Sequence, residues 1–226
     1  MSDVPAPQRP QYDFLKPLTY VFDDPRWIQK LVFGALFSLA GVVLIGVFFV
    51  YGYLARLVRN VVDGAETPLP EWTDLGEMFS EGAMLFVASL LYLIPFFFLF
   101  FLTFPFSVLA NIDNAAAQIL GGGGLVILML VLFPVGFALA VWVPAAMLHA
   151  MVKRDFRAAF DFRTIAAFLR NNALNYVLAY LDFLVARMAA PLGFILCCVG
   201  VFITSFWAMT VGAYAFAQTY RMSEKR

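Results

Sequence analysis

Apolar residues in this chain come in long blocks separated by short polar ones. Residues 31–55 carry no charge, and further apolar runs occupy about 83–109, 125–151, 173–197 and 200–220. Within each block the apolar positions fill every side of a helix and do not alternate with polar ones. An α-helix rises about 1.5 Å per residue, so roughly 20 apolar residues cross a hydrocarbon core about 30 Å thick. The other spanning solution, a closed barrel, needs short strands that alternate apolar and polar positions. The pattern therefore predicts an all-α integral membrane protein, a helical bundle of four to five transmembrane helices. The 48 residues from Ala173 to Tyr220 are too long for one span and divide into two, with a reversal near residues 197–200 or, alternatively, at Ala190 and Pro191. Pro95, Pro105, Pro134 and Pro144 fall inside apolar runs, where kinked membrane helices tolerate them.

The polar blocks supply the punctuation. Residues 1–11 read as a flexible, proline-rich tail, and residues 12–226 as a single helical membrane domain. The start has no basic region leading into a short apolar stretch, so a removable signal peptide is not expected. Residues 12–30 mix aromatics with both charge signs, as suits a segment at the membrane surface, and Asp23 or Asp24 before Pro25 resembles a helix start. Asn111, Asp113 and Asn114 suit a solvated turn, and Gly121 to Gly124 a flexible one. Two short cytoplasmic interfacial amphipathic helices are expected at about 70–81 and 157–170, where Trp72, Leu75 and Phe79, and Phe162, Ile165 and Phe168, recur at helical spacing. Tyr53, Trp72 and Phe162 are the expected interfacial anchors.

These two stretches are related to each other. At an offset of 90 residues Trp72 meets Phe162, Leu75 meets Ile165, and Ala83, Val87 and Leu91 meet identical residues. Each follows an apolar run that ends in basic residues, so the chain carries an internal repeat of basic helix end, turn, surface helix and span.

Composition sharpens the class. Hydrophobic residues make up 63% of the chain and charged ones only 13%, against about a quarter charged in a soluble domain. Between Glu81 and Lys153 the sole charge is Asp113, and between Arg170 and Arg221 there are only Asp182 and Arg187. A formal net charge of zero argues against nucleic acid as a partner, since neutralising phosphates needs a basic face. Cys197 and Cys198 are adjacent and read as buried small hydrophobes, and with His149 the single histidine, neither a metal site nor a cofactor is expected.

Basic residues in short loops favour the cytoplasm. Residues 152–172 carry five, the 110–124 connection none. This puts the C-terminus and both basic loops inside a prokaryotic cytoplasmic membrane. The N-terminal segment is also basic, so it obeys the rule only if residues 31–55 dip in and return, bending around Gly41 or Gly46, and do not cross once. Re-entry is the preferred reading, because it lets every segment obey the rule.

Candidate chemistry is sparse. Arg56, Arg59, Lys153, Arg154 and Arg157 are candidate contacts for lipid headgroups or another anion. Asp182 lies about ten residues into the fourth span with Arg187 five later, a candidate intramembrane polar pair. No nucleophile–base pair or set of convergent carboxylates is visible, so no enzyme is expected.

The stretch GYLARLVRNVVDGAETPLPEWTDLGEMFSEG, residues 52–82, with FDDPRWIQKLVFGALFSL upstream, resembles the domain-of-unknown-function 4013 family of prokaryotic membrane proteins. The resemblance rests on Gly-Tyr, paired arginines, a glycine, Leu-Pro-Glu-Trp, an aspartate and a phenylalanine. Leu39-Ala40-Gly41 stands where members often have Leu-Ile-Pro, and Leu75 stands where a second aromatic is usual. The family implies a multi-spanning helical membrane protein without an established activity. The expectation is a non-catalytic scaffold or accessory subunit that binds lipid, a membrane-protein partner or itself as a homo-oligomer, with a transporter or channel component using Asp182 and Arg187 as the alternative.

Overall fold

The apolar blocks fold into helices that run back and forth between one charged end and one apolar end. The computed structural model describes residues 12–224, apart from the side chains of residues 196–199. The expected tail at 1–11 and the side chains of Cys197 and Cys198 lie outside the described residues. Helix α1 (Lys16–Thr19) continues into a 3-10 turn, followed by α2 (Trp27–Ala40), α3 (Ile45–Asp63), α4 (Leu75–Phe101), α5 (Thr103–Ala110) and α6 (Ala115–Lys153). After a 3-10 turn at Phe156–Phe160 come α7 (Phe162–Asn171), α8 (Ala173–Ala189) and α9 (Cys197–Glu224). Among the described residues there is no strand. Among the described residues five helical stretches are long and apolar enough to cross a membrane, with α4 and α5 together making one of them, or six if Lys16–Asp23 and Trp27–Val43, bent by 110° to each other, form one broken span.

Residues 31–55 do not form one continuous helix. A 3-10 turn at Gly41–Val43 and Leu44 in the left-handed region (φ 67°) reverse the chain. Gly46 allows the fold-back, because a Cβ there would sit 1.9 Å from the Phe37 carbonyl oxygen. Both ends of this hairpin meet the same loop: Lys30 reaches the carbonyl of Leu69, and Arg56 that of Thr73. At 14 residues, α2 extends only about 21 Å, short of a full crossing.

Gly64 ends α3 as expected from the sequence. Its amide donates to the Val61 carbonyl and that of Ala65 to Asn60, with Gly64 at φ 80°, which is the Schellman arrangement that satisfies the last carbonyls of a helix. The separate helix expected at 70–81 is absent. Residues 70–74 are non-helical, and from Leu75 onward the chain is already the span α4. Close backbone packing explains this: a Cβ on Gly52 would lie 2.0 Å from the Met78 carbonyl, and one on Gly82 1.6 Å from that of Phe48. The first turns of α4 are therefore locked against α3 and are not free to lie on a surface.

The four glycines form no turn. They lie inside α6, and the reversal occurs at Asn111–Asn114, where Asn114 caps α6 by accepting the Ala117 amide at 3.1 Å. Gly121 meets the backbone of Ala110 and Gly124 the ring of Phe106, so small residues let α5 approach α6 closely, as membrane helices commonly do. Between α8 and α9 the chain reverses through Ala190–Leu196 and not at 197–200; the Thr204 hydroxyl ties the turn by donating to the Ala190 carbonyl at 2.6 Å.

Pro144 cannot donate to the carbonyl of Ala140, four residues earlier. The Tyr180 hydroxyl of α8 donates there instead, and Tyr176 donates to Val141 at 2.7 Å. Two tyrosines of α8, which packs mainly against α9, thus reach α6 beside Pro144. Of the helix expected near 157–170, the first residues form the 3-10 turn and α7 begins at Phe162. Asp161 caps it through the Thr164 amide and hydroxyl, and these bonds hold the Asp161 carboxyl below the usual carboxylate range. Ile165 and Phe168 are buried beneath it.

Candidate functional site

Charged side chains that cannot be solvated must find partners, and at the charged end of the bundle they find one another. Lys30 and Asp24 are almost fully buried. The Lys30 ammonium donates to Asp24 at 2.6 Å and to the Leu69 carbonyl at 2.8 Å, and lies 2.7 Å from Glu71. Arg26 reaches the same Glu71 oxygen at 2.8 Å. The second Asp24 oxygen accepts the Arg26 amide at 2.8 Å, fixing the turn that starts α2. The ammonium is thus fully coordinated inside the protein, with two carboxylates and a carbonyl in place of water.

Trp72 locks the neighbouring slot. Its indole N–H donates to the Lys30 carbonyl at 3.0 Å, and its ring stacks on Tyr53 and Phe37 at centroid distances of 4.3 and 4.8 Å. Tyr53, an expected interfacial anchor, is instead fully buried at 0% exposure. The aromatic pair that the sequence suggested for a headgroup layer closes the interior.

Arg56 and Arg59 extend the same construction on the other side of α3. Arg56 donates to the carbonyls of Thr73 and Asp74 and to Glu77 at 2.9 Å. Arg59 donates to the Met151 carbonyl at the end of α6 and forks onto both oxygens of Glu81 at 2.7 and 3.1 Å. Together with Asn60, Asp63, Glu71 and Arg154 they surround a polar cavity of about 330 Å3. Arg154 approaches Glu77 at 3.8 Å and is otherwise exposed. Three guanidinium groups thus face three carboxylates, so the cavity carries no excess of positive charge to attract an anion.

The expected anion contacts therefore separate into two groups. Arg56, Arg59 and Arg154 converge, but on protein carboxylates and carbonyls. Lys153 and Arg157 are exposed, outside this cavity, and form no ion pair among the described residues. Phe162, the third expected anchor, is exposed at 57% and stacks on Trp142 at 5.8 Å. In both places an aromatic beyond a basic helix end turns back onto the preceding helix, Trp72 onto Tyr53 and Phe162 onto Trp142.

Asp182 and Arg187 do not meet. Asp182 is fully buried and accepts the Tyr12 hydroxyl at 2.5 Å, while Arg187 is exposed on another face of α8. Five residues along a helix place two side chains on different faces. Burial and the Asp182 carboxylate push the Tyr12 phenol well above its ordinary range, so it remains a donor. Tyr12 belongs to the N-terminal segment, which lies along α9: Tyr20 donates to the Thr210 carbonyl at 3.2 Å and stacks on Tyr214. Asp182 thus sits beside this charged segment. His149 is buried against Phe168 and Tyr220, with Nδ1 2.8 Å from the Ala145 carbonyl. Among the described residues no group of His, Cys, Asp or Glu is placed to hold a metal ion.

The helical hairpin, the Leu-Pro-Glu-Trp loop and the paired arginines form one unit, and a family model for a protein of unknown function, DUF4013, matches residues 35–199. The chain belongs to the DUF4013 family. No curated protein and no solved structure gives a significant match. In this DUF4013 protein the matched region contains Arg56, Arg59, Glu71, Trp72, Glu77 and Glu81, whereas Asp24, Arg26 and Lys30 precede it.

The sequence reading singled out the basic half of this clasp and missed the acidic half. Glu71, Glu77 and Glu81 are not among its candidate contacts, and Lys30 and Asp24 fall in the segment it places at the membrane surface. The available signal was charge balance: five cations at Arg26, Lys30, Arg56, Arg59 and Arg154 face acids within short loops, next to blocks that offer no water.

Proposed function

We propose that this DUF4013 protein is a non-catalytic membrane scaffold or accessory subunit whose docking surface is the arm formed by α5 and the first half of α6. The observation that carries this reading is the arm itself. Helix α6 has 39 residues, about 58 Å at 1.5 Å per residue, against a hydrocarbon core of about 30 Å. Phe104, Ile119 and Phe133 on the arm are 73%, 75% and 81% exposed. Gly121 and Gly124 face α5, while Gly122 and Gly123 have no neighbour within 4 Å. That leaves a small-residue face through which another membrane helix can approach closely, a second copy of the chain being the simplest partner.

The charged end supports the same reading. Its arginines and carboxylates satisfy one another and hold the protein's own helices, leaving no convergent reactive groups. The transporter alternative rested on an Asp182–Arg187 pair, and these side chains face different ways. The membrane is proposed to be the prokaryotic cytoplasmic membrane, with the charged end and the C-terminus inside. A cysteine placed at Asp13 should resist impermeant reagents applied to intact cells; labelling from outside would overturn this orientation. Gentle detergent extraction should yield a homo-oligomer or a stable complex, and Gly122→Leu with Gly123→Leu should dissociate it. A lone monomer that moves a solute across vesicles would refute the scaffold.

A further inference from the structure

Between α3, α6 and α9, bordered by the α2–α3 turn and by Phe183 of α8, lies a second cavity of about 470 Å3. Ligand pockets commonly enclose roughly 300–1,000 Å3. Its walls are almost wholly aliphatic or aromatic, with Val47, Tyr51 and Leu54 of α3 facing Met147 of α6 and Met209 and Phe216 of α9. Polar groups in the wall are few. The Ser38 hydroxyl donates to the Gly34 carbonyl at 2.7 Å, and the carbonyl freed by Pro144 accepts from Tyr180. The Tyr51 hydroxyl alone could not replace the water shell of a polar solute. An apolar cavity of this kind does not fill with water, and left empty its lining loses dispersion contacts on every side.

The cavity is continuous with the apolar exterior. Gly41 lines it, and the next residues, Val42, Val43 and Leu44, are 76%, 67% and 60% exposed at the tip of the hairpin. In a membrane those residues border lipid, so hydrocarbon is the phase in contact with the opening. The methionines in the wall are adaptable and can follow a flexible chain.

We propose that this cavity is a lipid site that takes one acyl chain of a bilayer phospholipid, entering beside the α2–α3 turn. The site is distinct from the arm, and its failure would leave the scaffold reading untouched.

The full-length protein would be reconstituted in vesicles of phosphatidylethanolamine and phosphatidylglycerol carrying a photoactivatable group on one acyl chain, irradiated, and mapped by peptide mass spectrometry. Label is expected at Met147 and Met209 as well as at Ile94 and Met188, which are exposed away from the arm. Ala213→Phe, which fills the cavity from α9, should reduce the Met147 and Met209 label several-fold and leave Ile94 and Met188 unchanged. Leu54→Trp, which fills it from α3, provides the same test if Ala213→Phe does not fold. Absence of label at the cavity methionines, or label unaffected by both fillings, overturns the proposal. So does a Met209→Cys protein that cross-links to another polypeptide, or an isoprenoid recovered in place of phospholipid from the delipidated protein.

Discussion

Replacing Lys30 with methionine tests whether the buried cluster holds the hairpin to the loop. Lys30 and Asp24 have side-chain exposures of 6% and 4%, with a 2.6 Å separation. Methionine keeps most of the aliphatic stem but leaves the Asp24 carboxylate buried beside it without its cation. Breaking a buried pair in this way costs about 3–5 kcal/mol, because the remaining charge keeps its desolvation penalty. For a chain of this size each kcal/mol moves the midpoint by roughly 2–4 °C, so Lys30→Met should lower Tm by roughly 6–20 °C. Asp24→Asn in the same protein removes the orphaned charge while its amide oxygen can still accept the Arg26 N–H. The double variant Lys30→Met/Asp24→Asn should therefore recover most of the loss, since exchanging a whole buried pair for neutral groups is often close to neutral. Glu71→Gln should be milder, about 1 kcal/mol or less, because Glu71 is 42% exposed and Lys30 keeps Asp24. The assay is a double-mutant cycle on thermal unfolding in one detergent. Lys30→Met within about 1 kcal/mol of the parent, or a double variant no better than Lys30→Met, would refute the argument.

Other consequences are equally direct. Gly82→Ala, whose Cβ would sit 1.6 Å from the Phe48 carbonyl, should cost at least the roughly 1–3 kcal/mol of an overpacked core, while Gly76→Ala, with open space around it, should be neutral or gain about 0.4–1 kcal/mol; unfolding of the two variants side by side checks this. Tyr12→Phe removes the one donor seen on the buried Asp182 and should cost about 1.5–3 kcal/mol; Asp182→Asn, which lowers the charge and keeps an acceptor, should cost less, and the reverse order in thermal unfolding would exclude this pairing.

Helix class and most span positions were legible because a hydrocarbon solvent leaves few ways to satisfy a backbone, and long uncharged runs state that constraint openly. Gly64 was equally legible, since a glycine after a basic helix end carries a local turn signal. The glycines at 121–124 were misread because their meaning depends on a partner. In water four glycines loosen a helix, whereas against Ala110 and Phe106 two of them become contact points. The helix at 70–81 failed for the same reason: its amphipathic spacing was real, but Gly52 and Gly82 admit a backbone approach that no single-segment pattern records. The charges on both flanks of residues 31–55 point to a fold-back, a long-range consistency argument; the chain reverses at Gly41–Leu44, while Ile45–Asp63 is by itself long and apolar enough to cross a membrane.

The same contrast explains why the family-like residues looked like a site. Leu-Pro-Glu-Trp and the paired arginines are polar, aromatic and irregular, the usual marks of a functional loop. Here each mark has an internal recipient: Glu71 meets Lys30 and Arg26, Trp72 meets the Lys30 carbonyl, and Arg59 meets Glu81 and the end of α6. The α2–α3 hairpin returns to the loop it starts from, so its position depends on what binds its base. The clasp supplies that binding on both flanks of the hairpin and, through Arg59, ties α3 to α6. Because α2 and α3 also wall the apolar cavity, the clasp fixes the width of that cavity from the charged end. Loosening it by Lys30→Met should therefore alter lipid labelling at Met147 and Met209, a coupling that independent structural and ligand elements would not show.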